Sequence, residues 1–458
     1  MNDIKVTVLN KLYVSSLSPA LERAVVKDLT LQMGFATFNT GETLTLAERI
    51  DGALVVPRGY FNALLRRIKE AGGVPVIDDR RLKLPPIDLE FHGELRSYQR
   101  KALEVMSKYG SGVLVGGCGS GKTVMGCALI AHWRQPALVL VHTKDLVRQW
   151  KGELRNFLDT EAGQIGDGVF DVQPVTVALV QSLVARPGLL EDIRNQFGLT
   201  LLDECAHAPA TTFTATLQQF PAALRYGLSA TPERADGLTP FLYAVIGPKR
   251  HEITSENLRA DGVLVTPEIY MTPTEFTSYQ VEDWAKLMSE LVENEERNNL
   301  ATDIIVNLID DGRRIIALSE RVAHVEKLAE MVNQLRPGAA VMAHGKLPKE
   351  TRIAALEKIR GDARVLLATK LADEGLDLPI LDAVVLLTPS RDAGRTTQRV
   401  GRTLRAIPGK PAPVVIDLVD VNVSVLANQA RTRFFDCYRH LAPGSRLPEW
   451  LETRRRAA

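Results

Sequence analysis

Neither cysteine nor net charge marks out this 458-residue chain. Its four cysteines, Cys118, Cys127, Cys205 and Cys437, lack Cys-x-x-Cys spacing, which argues against a zinc site and a disulfide framework. Lysine and arginine (56) nearly cancel aspartate and glutamate (55), leaving a formal charge of +1. No global field therefore points to a polyanionic partner, and such contacts must come from local clusters. No apolar run approaches the roughly 20 residues that span a bilayer. The opening MNDIKVTVLNKLYVSS alternates apolar and polar residues instead of joining a basic stretch to an apolar block, so it reads as a strand and not a signal peptide. Solenoid-period repeats and low-complexity tracts are missing as well. These absences imply a cytoplasmic chain with no membrane partner.

What is present is patterned. The length implies two or three domains around a 45% apolar composition. Residues 1–88 read as a small α/β accessory domain, with a strand over 4–14, a helix over 20–31, and a second strand-helix-strand passage in GALVVPRGYFNALLRRIKEAGGVPVIDD. The Pro85-Pro86 pair in RRLKLPPIDLE reads as a connector. Short apolar strands then alternate with amphipathic helices over 89–248 (GVLVGG, ALVLVH, VTVALV, LTLLDE, RYGLSA). The alternation resumes over 249–447 (RRIIALS, AAVMAHG, RVLLATK, AVVLLTP, PVVIDLV), and 448–458 form a basic tail. The fold class is α/β, with two similar domains whose parallel sheets are covered on both faces.

GGCGSGKT, residues Gly116, Gly117, Cys118, Gly119, Ser120, Gly121, Lys122 and Thr123, follows an apolar strand and opens a helical pattern. That is the setting of a phosphate loop: backbone N–H groups and a helix N-terminus cradle phosphates, Lys122 reaches the β- and γ-phosphates, and Thr123 ligates Mg²⁺. LTLLDE ends a buried strand with Asp203, placed to hold Mg²⁺ through its water shell, and Glu204, placed to polarise the attacking water. Upstream, Arg96 and Gln99 lie in LRSYQ. The Gln99 amide can pair with adenine; alternatively it is a polar residue opening a helix. In TTQRVGRTLR, Gln398, Arg402 and Arg405 are spaced to share one helix face, and the arginines suit charge stabilisation at the γ-phosphate. The expected cofactors are ATP and Mg²⁺.

The order of these segments resembles superfamily 2 helicases of the DExH type over roughly residues 95–420, and in detail the XPB and UvsW branch with its phage members and restriction-enzyme motors. The resemblance implies two tandem RecA-like domains. It assigns coupling between nucleotide and track to His207 in DECAH, to Ser229, Ala230 and Thr231 in LSATP, and to Glu374, Gly375 and Asp377 in ATKLADEGLDLP. It also implies strand-backbone contacts at Thr143, Gln181 and Ser182 in the first RecA-like domain, and at His344, Gly345, Arg352 and Thr369 in the second. Short hydroxyl and amide donors suit a backbone followed without base reading. Ala235 departs from the branch, whose Arg-Glu-Asp element has an acidic residue there. The implied partner is DNA, single-stranded, forked or branched, with a monomer as the simplest assembly. RNA, or service as the motor of a restriction-type nuclease complex, stays open.

Overall fold

The computed structural model describes residues 3–35, 38–117, 119–205, 210–230, 238–369, 378, 380–389, 396, 400–401 and 409–452. The chain divides into two compact units, Met1–Thr254 and Ser255–Ala458.

The first unit begins with strands β1 (Asp3–Val8), β2 (Leu12–Ser15), β3 (Thr30–Phe35), β4 (Phe38–Thr45), β5 (Glu48–Ile50), β6 (Ala53–Val56) and β7 (Val74–Asp79). Five of them form a sheet in the order β5-β6-β2-β1-β7, while β3 and β4 make a separate hairpin. The strand expected over 4–14 is in fact two, because the chain turns at Leu9, whose N–H donates to the Lys11 carbonyl at 2.9 Å. Helix α1 (Pro19–Asp28) starts where the Ser18 side chain accepts from the Leu21 N–H. It ends short of the expected Leu31, because β-branched Thr30 enters β3 and its hydroxyl pairs with that of Thr45. Helix α2 (Phe61–Glu70) covers the same sheet face through Leu64 and Ile68.

After the connector come β8 (Ser111–Gly116), β9 (Ala137–Val141), β10 (Gly163–Gly166), β11 (Val169–Asp171), β12 (Val175–Leu179), β13 (Leu199–Leu202), β14 (Leu224–Ser229) and β15 (Lys249–Ile253). Their order is β11-β10-β12-β9-β13-β14-β8-β15. Every neighbouring pair is parallel except the β10–β11 hairpin. Helices α3 (Ser97–Ser107), α4 (Lys122–Trp133), α5 (Lys144–Leu158), α6 (Val180–Val184), α7 (Pro187–Ile193), α8 (Ala210–Leu217) and α9 (Thr239–Ile246) are interspersed with these strands. Buried on both faces, β9 and β12 show no exposed position, which is why β9 reads as an unbroken apolar run and β12 as one interrupted by Thr176 alone.

The N-terminal sheet is pinned to this larger one by two buried guanidinium groups. Arg58 donates to the Ala222 carbonyl at 2.5 Å. Arg225 of β14 donates back to the Asn10 carbonyl at 3.2 Å and to those of Phe220 at 2.9 Å and Val245 at 3.1 Å. Gly59 has no room for a side chain, since a Cβ there would lie 2.3 Å from the Tyr243 carbonyl oxygen of α9. Leu31, Leu44 and Leu46 pack on Leu238 and Phe241 beside it.

The second unit holds helices α10 (Ser255–Ala260), α11 (Trp284–Glu293), α12 (Glu295–Asp310), α13 (Val322–Leu335) and α14 (Lys349–Arg360). Its strands are β16 (Glu268–Thr274), β17 (Ile315–Leu318), β18 (Ala340–Ala343), β19 (Val365–Ala368), β20 (Ala383–Leu386) and β21 (Val414–Asp420). All six are parallel, in the order β16-β21-β20-β17-β19-β18. The architecture is thus two tandem RecA-like domains with a small N-terminal α/β region. Inside the second, Arg297 forks onto Asp420 at 2.7 and 3.3 Å, and the Thr274 hydroxyl donates to the same carboxylate at 2.6 Å. Nearby, His324 bonds Ser319 and Asn298 through its two ring nitrogens, and burial lowers its pKa to about 3, so the ring is neutral at pH 7. Among the described residues no helix is long and apolar enough to cross a membrane.

Candidate nucleotide and strand site

In sheets of this kind, ligands bind outside the carboxyl ends of the strands. The central order β9-β13-β14-β8 brings four such ends together. The phosphate loop follows β8 and passes into α4 through Gly121, whose φ of +72° suits glycine. Gly121 also faces Gln99 closely, since an added Cβ would lie 2.5 Å from the amide nitrogen. Gln99 itself is buried in α3: its side-chain oxygen accepts from the Arg96 N–H at 2.9 Å and its amide donates to the Ser120 carbonyl at 3.2 Å. Gln99 thus braces the loop, and an adenine contact would use the second N–H and the second lone pair that the amide retains. The Arg96 side chain is exposed.

Lys122 donates to the Gly116 carbonyl at 2.9 Å and lies 3.4 Å from Glu204. Asp203, at the end of β13, is 3% exposed. Burial and then the adjacent Glu204 carboxylate raise its pKa, opposed by the Trp150 N–H and by Lys122. Glu204 adopts a left-handed conformation, φ 48°, uncommon for a non-glycine residue and of a kind that persists where surroundings enforce it. One of those surroundings is the end of β14, where the Ala230 N–H donates to Glu204 at 3.4 Å and Ser229 is buried. The second carboxylate of the site therefore touches both the phosphate-loop lysine and the segment after β14.

A Mg²⁺ ion carried on nucleotide phosphates needs one or two hard oxygen donors from protein. Thr123, in the first turn of α4, and Asp203, after β13, carry oxygens of the kind such a donor set requires. A Cβ added at Gly117 would meet nothing within 4 Å, so the loop is open at that position. Among the described residues no group of three or more His, Cys, Asp or Glu could hold a metal by itself.

The strand candidates of the first unit fall on the same carboxyl edge, after β9 and β12. Thr143, after β9, caps α5 by accepting from the Leu146 N–H at 3.2 Å. Gln181, exposed after β12, donates to the His142 carbonyl at 3.2 Å, and Ser182 follows it on α6. In the second unit, Gly345 is exposed, Thr369 follows β19 and Arg352 lies on α14, both half-buried. His344 differs: its ring is buried, 3.5 Å from Glu326, and presents no surface to a strand. Cys118, His207, Thr231, Ala235, Glu374, Gly375, Asp377, Gln398, Arg402 and Arg405 lie outside the described residues. Sequence reasoning missed Trp150, whose indole N–H bonds Asp203; its signal was a tryptophan amid the apolar stripe of α5.

Residues 92–234 match the family described as the res subunit of type III restriction enzymes, and residues 297–407 match the helicase conserved C-terminal domain. Over 419 residues the chain is 30% identical to the DNA 3′–5′ helicase XPB of Mycobacterium tuberculosis, covering 84% of this chain and 71% of that protein. The chain is a superfamily 2 helicase. As such a helicase it is an ATP hydrolase, and the carboxyl edge of its first RecA-like sheet carries the Gly116–Thr123 segment after β8 and the Asp203-Glu204 pair after β13. Another relative is L396 of Acanthamoeba polyphaga mimivirus, named as an ATP-dependent RNA helicase, 27% identical over 380 residues covering 79% of this chain and 71% of that one. The solved helicase domain of Pyrococcus furiosus Hef shares the fold with a TM-score of 0.51 and 16% identity, covering 74% of this helicase and 98% of that domain.

Proposed function

We propose that this helicase hydrolyses ATP at the Lys122–Glu204 edge to travel 3′ to 5′ along DNA and remodel duplexes, forks or branched junctions. The observation that carries the reading is the contact of Glu204 with both Lys122, at 3.4 Å, and the Ala230 N–H, also at 3.4 Å. Through it the group that orients water senses both the phosphate loop and the segment after β14. Lys122 holds the β- and γ-phosphates, Glu204 accepts a proton from the attacking water, and Arg402 with Arg405 stabilise the charge that develops on the γ-phosphate. Mg²⁺, when bound, neutralises phosphate charge, with Thr123 and Asp203 as its protein contacts. Thr143, Gln181 and Ser182, with Gly345, Arg352 and Thr369, follow the sugar-phosphate backbone. DNA as the track and 3′–5′ polarity are supported by the XPB relative, and the mimivirus relative supplies the RNA reading to be tested against them.

One panel tests this: ATPase stimulation and unwinding with single strands, 3′- and 5′-tailed duplexes, forks and four-way junctions, in DNA and RNA, with Lys122→Ala as control. DNA-stimulated turnover and unwinding from 3′ tails are expected, greatest on forks or junctions. Preference for RNA would overturn the DNA assignment, and an ATPase-competent Lys122→Ala protein would sink the site. A nuclease co-purifying with the chain would instead favour the restriction-motor role suggested by the res-subunit match.

A further inference from the structure

Helix α5 buries one stripe, Val147, Trp150, Leu154 and Leu158, and three of these four are aliphatic. Trp150 is 0% exposed and its indole N–H donates to Asp203 Oδ2 at 2.7 Å. Its ring fills the space over Gly126 of α4, where an added Cβ would come within 2.5 Å. Packing alone would be met by an apolar ring, whereas the indole adds a donor aimed at a carboxylate, and buried indole N–H groups do find such partners. The preceding residue, Gln149, donates to Thr123 Oγ1 at 3.4 Å. Two consecutive residues of one helix therefore touch both oxygen donors assigned to the metal. The same helix is capped at its N-terminus by Thr143, about 10 Å from Trp150 along the axis, among the strand candidates.

We infer that Trp150 is a positioning residue, holding the Asp203 carboxylate in the orientation that receives nucleotide-borne Mg²⁺ and transmitting to it the state of the strand engaged at Thr143. The inference rests on the assignment of Asp203 and Thr123 to the metal. A rigid helix with a backbone-following hydroxyl at its start and an indole bonded to a buried carboxylate two turns later is a contiguous link between track and nucleotide. A displacement of α5 along its axis would move the indole N–H against Asp203 directly.

The full chain is tested with 3-benzothienylalanine at position 150, which keeps the ring shape and replaces N–H by sulfur, and in parallel as Trp150→Phe and Asp203→Asn. The first readout is the Mg²⁺ concentration that half-saturates the rise in melting temperature produced by ADP. The second is the factor by which single-stranded DNA stimulates ATP turnover. Loss of a charge-assisted hydrogen bond predicts a roughly 10- to 100-fold higher half-saturating Mg²⁺ in the isostere, together with a smaller stimulation factor. Wild-type Mg²⁺ dependence in the isostere overturns the positioning role, and an unchanged stimulation factor overturns the link to the strand. If Trp150→Phe melts early for want of packing, the isostere still decides. An Asp203→Asn protein with wild-type Mg²⁺ dependence would instead remove the metal assignment beneath the inference.

Discussion

Replacing Arg297 by methionine strands a charge in the second RecA-like domain. In the native chain both Arg297 and Asp420 have fully buried side chains, joined by a two-pronged contact at 2.7 and 3.3 Å. Removing the guanidinium leaves Asp420 with the Thr274 hydroxyl, at 2.6 Å, as its remaining side-chain donor among the described residues. Breaking a buried pair from one side costs about 3–5 kcal/mol, chiefly because the surviving ion has lost its compensation. Replacing both members by apolar residues is often close to neutral. Because the chain has two compact units, a single unfolding free energy is poorly defined. Segment-resolved hydrogen exchange on α12, β16 and β21 is the suitable assay. Exchange there should accelerate by roughly two to four powers of ten in Arg297→Met, and most of the effect should be recovered in Arg297→Met/Asp420→Leu. Acceleration below tenfold, or a double variant as loose as the single one, would refute the stranded-charge reasoning.

Arg405→Ala should leave nucleotide binding nearly intact while slowing turnover at least 100-fold; unchanged turnover would remove Arg405 from the catalytic set. Gly126→Ala should lower stability by about 1–3 kcal/mol, since its Cβ would come within 2.5 Å of the Trp150 ring and 3.3 Å of Leu201 and Leu228; a melting temperature equal to wild type would count against the close α4–α5 packing. In the N-terminal sheet, the Arg67 fork, opposed by some desolvation, holds the Asp28 carboxyl below its ordinary pKa. A depressed folded value means a contribution complete above the unfolded pKa, about 3.9, and lost as pH falls through the folded one. Arg67→Gln should therefore narrow its stability deficit against wild type as melts are run from pH 6 down to pH 2.5, and a deficit independent of pH would contradict this.

Legibility followed burial. The five expected strands of the first RecA-like sheet lie at its centre, and buried parallel strands announce themselves as apolar runs. What escaped reading sits at edges and turns: β11 and β15 flank the sheet, β11 exposed throughout and β15 mostly polar and half-buried, and β16 mixes exposed and half-buried positions. The hairpin of β1 and β2 escaped because its turn, Leu9-Asn10-Lys11, contains no glycine or proline to mark it. The phosphate loop and the Asp203-Glu204 pair were legible because their residues are local in sequence. The Trp150–Asp203 bond joins positions 53 residues apart, and only strand order makes β9 and β13 neighbours. At His344 the motif position suggests a strand contact, while burial after β18 withdraws the ring from the surface, a feature that residue type and spacing do not carry.

The twin-guanidinium joint makes the N-terminal region a poor candidate for deletion. A chain shortened to begin at residue 89 would strip the Ala222 carbonyl of its donor, deprive Arg225 of the Asn10 acceptor, and bare Leu238 and Phe241 at the start of α9. Such a truncation would injure the ATPase half of the molecule for reasons unconnected with whatever the first 88 residues recognise. Their role is better sought by changing exposed side chains such as Asn62 and Arg66, which leave the joint whole.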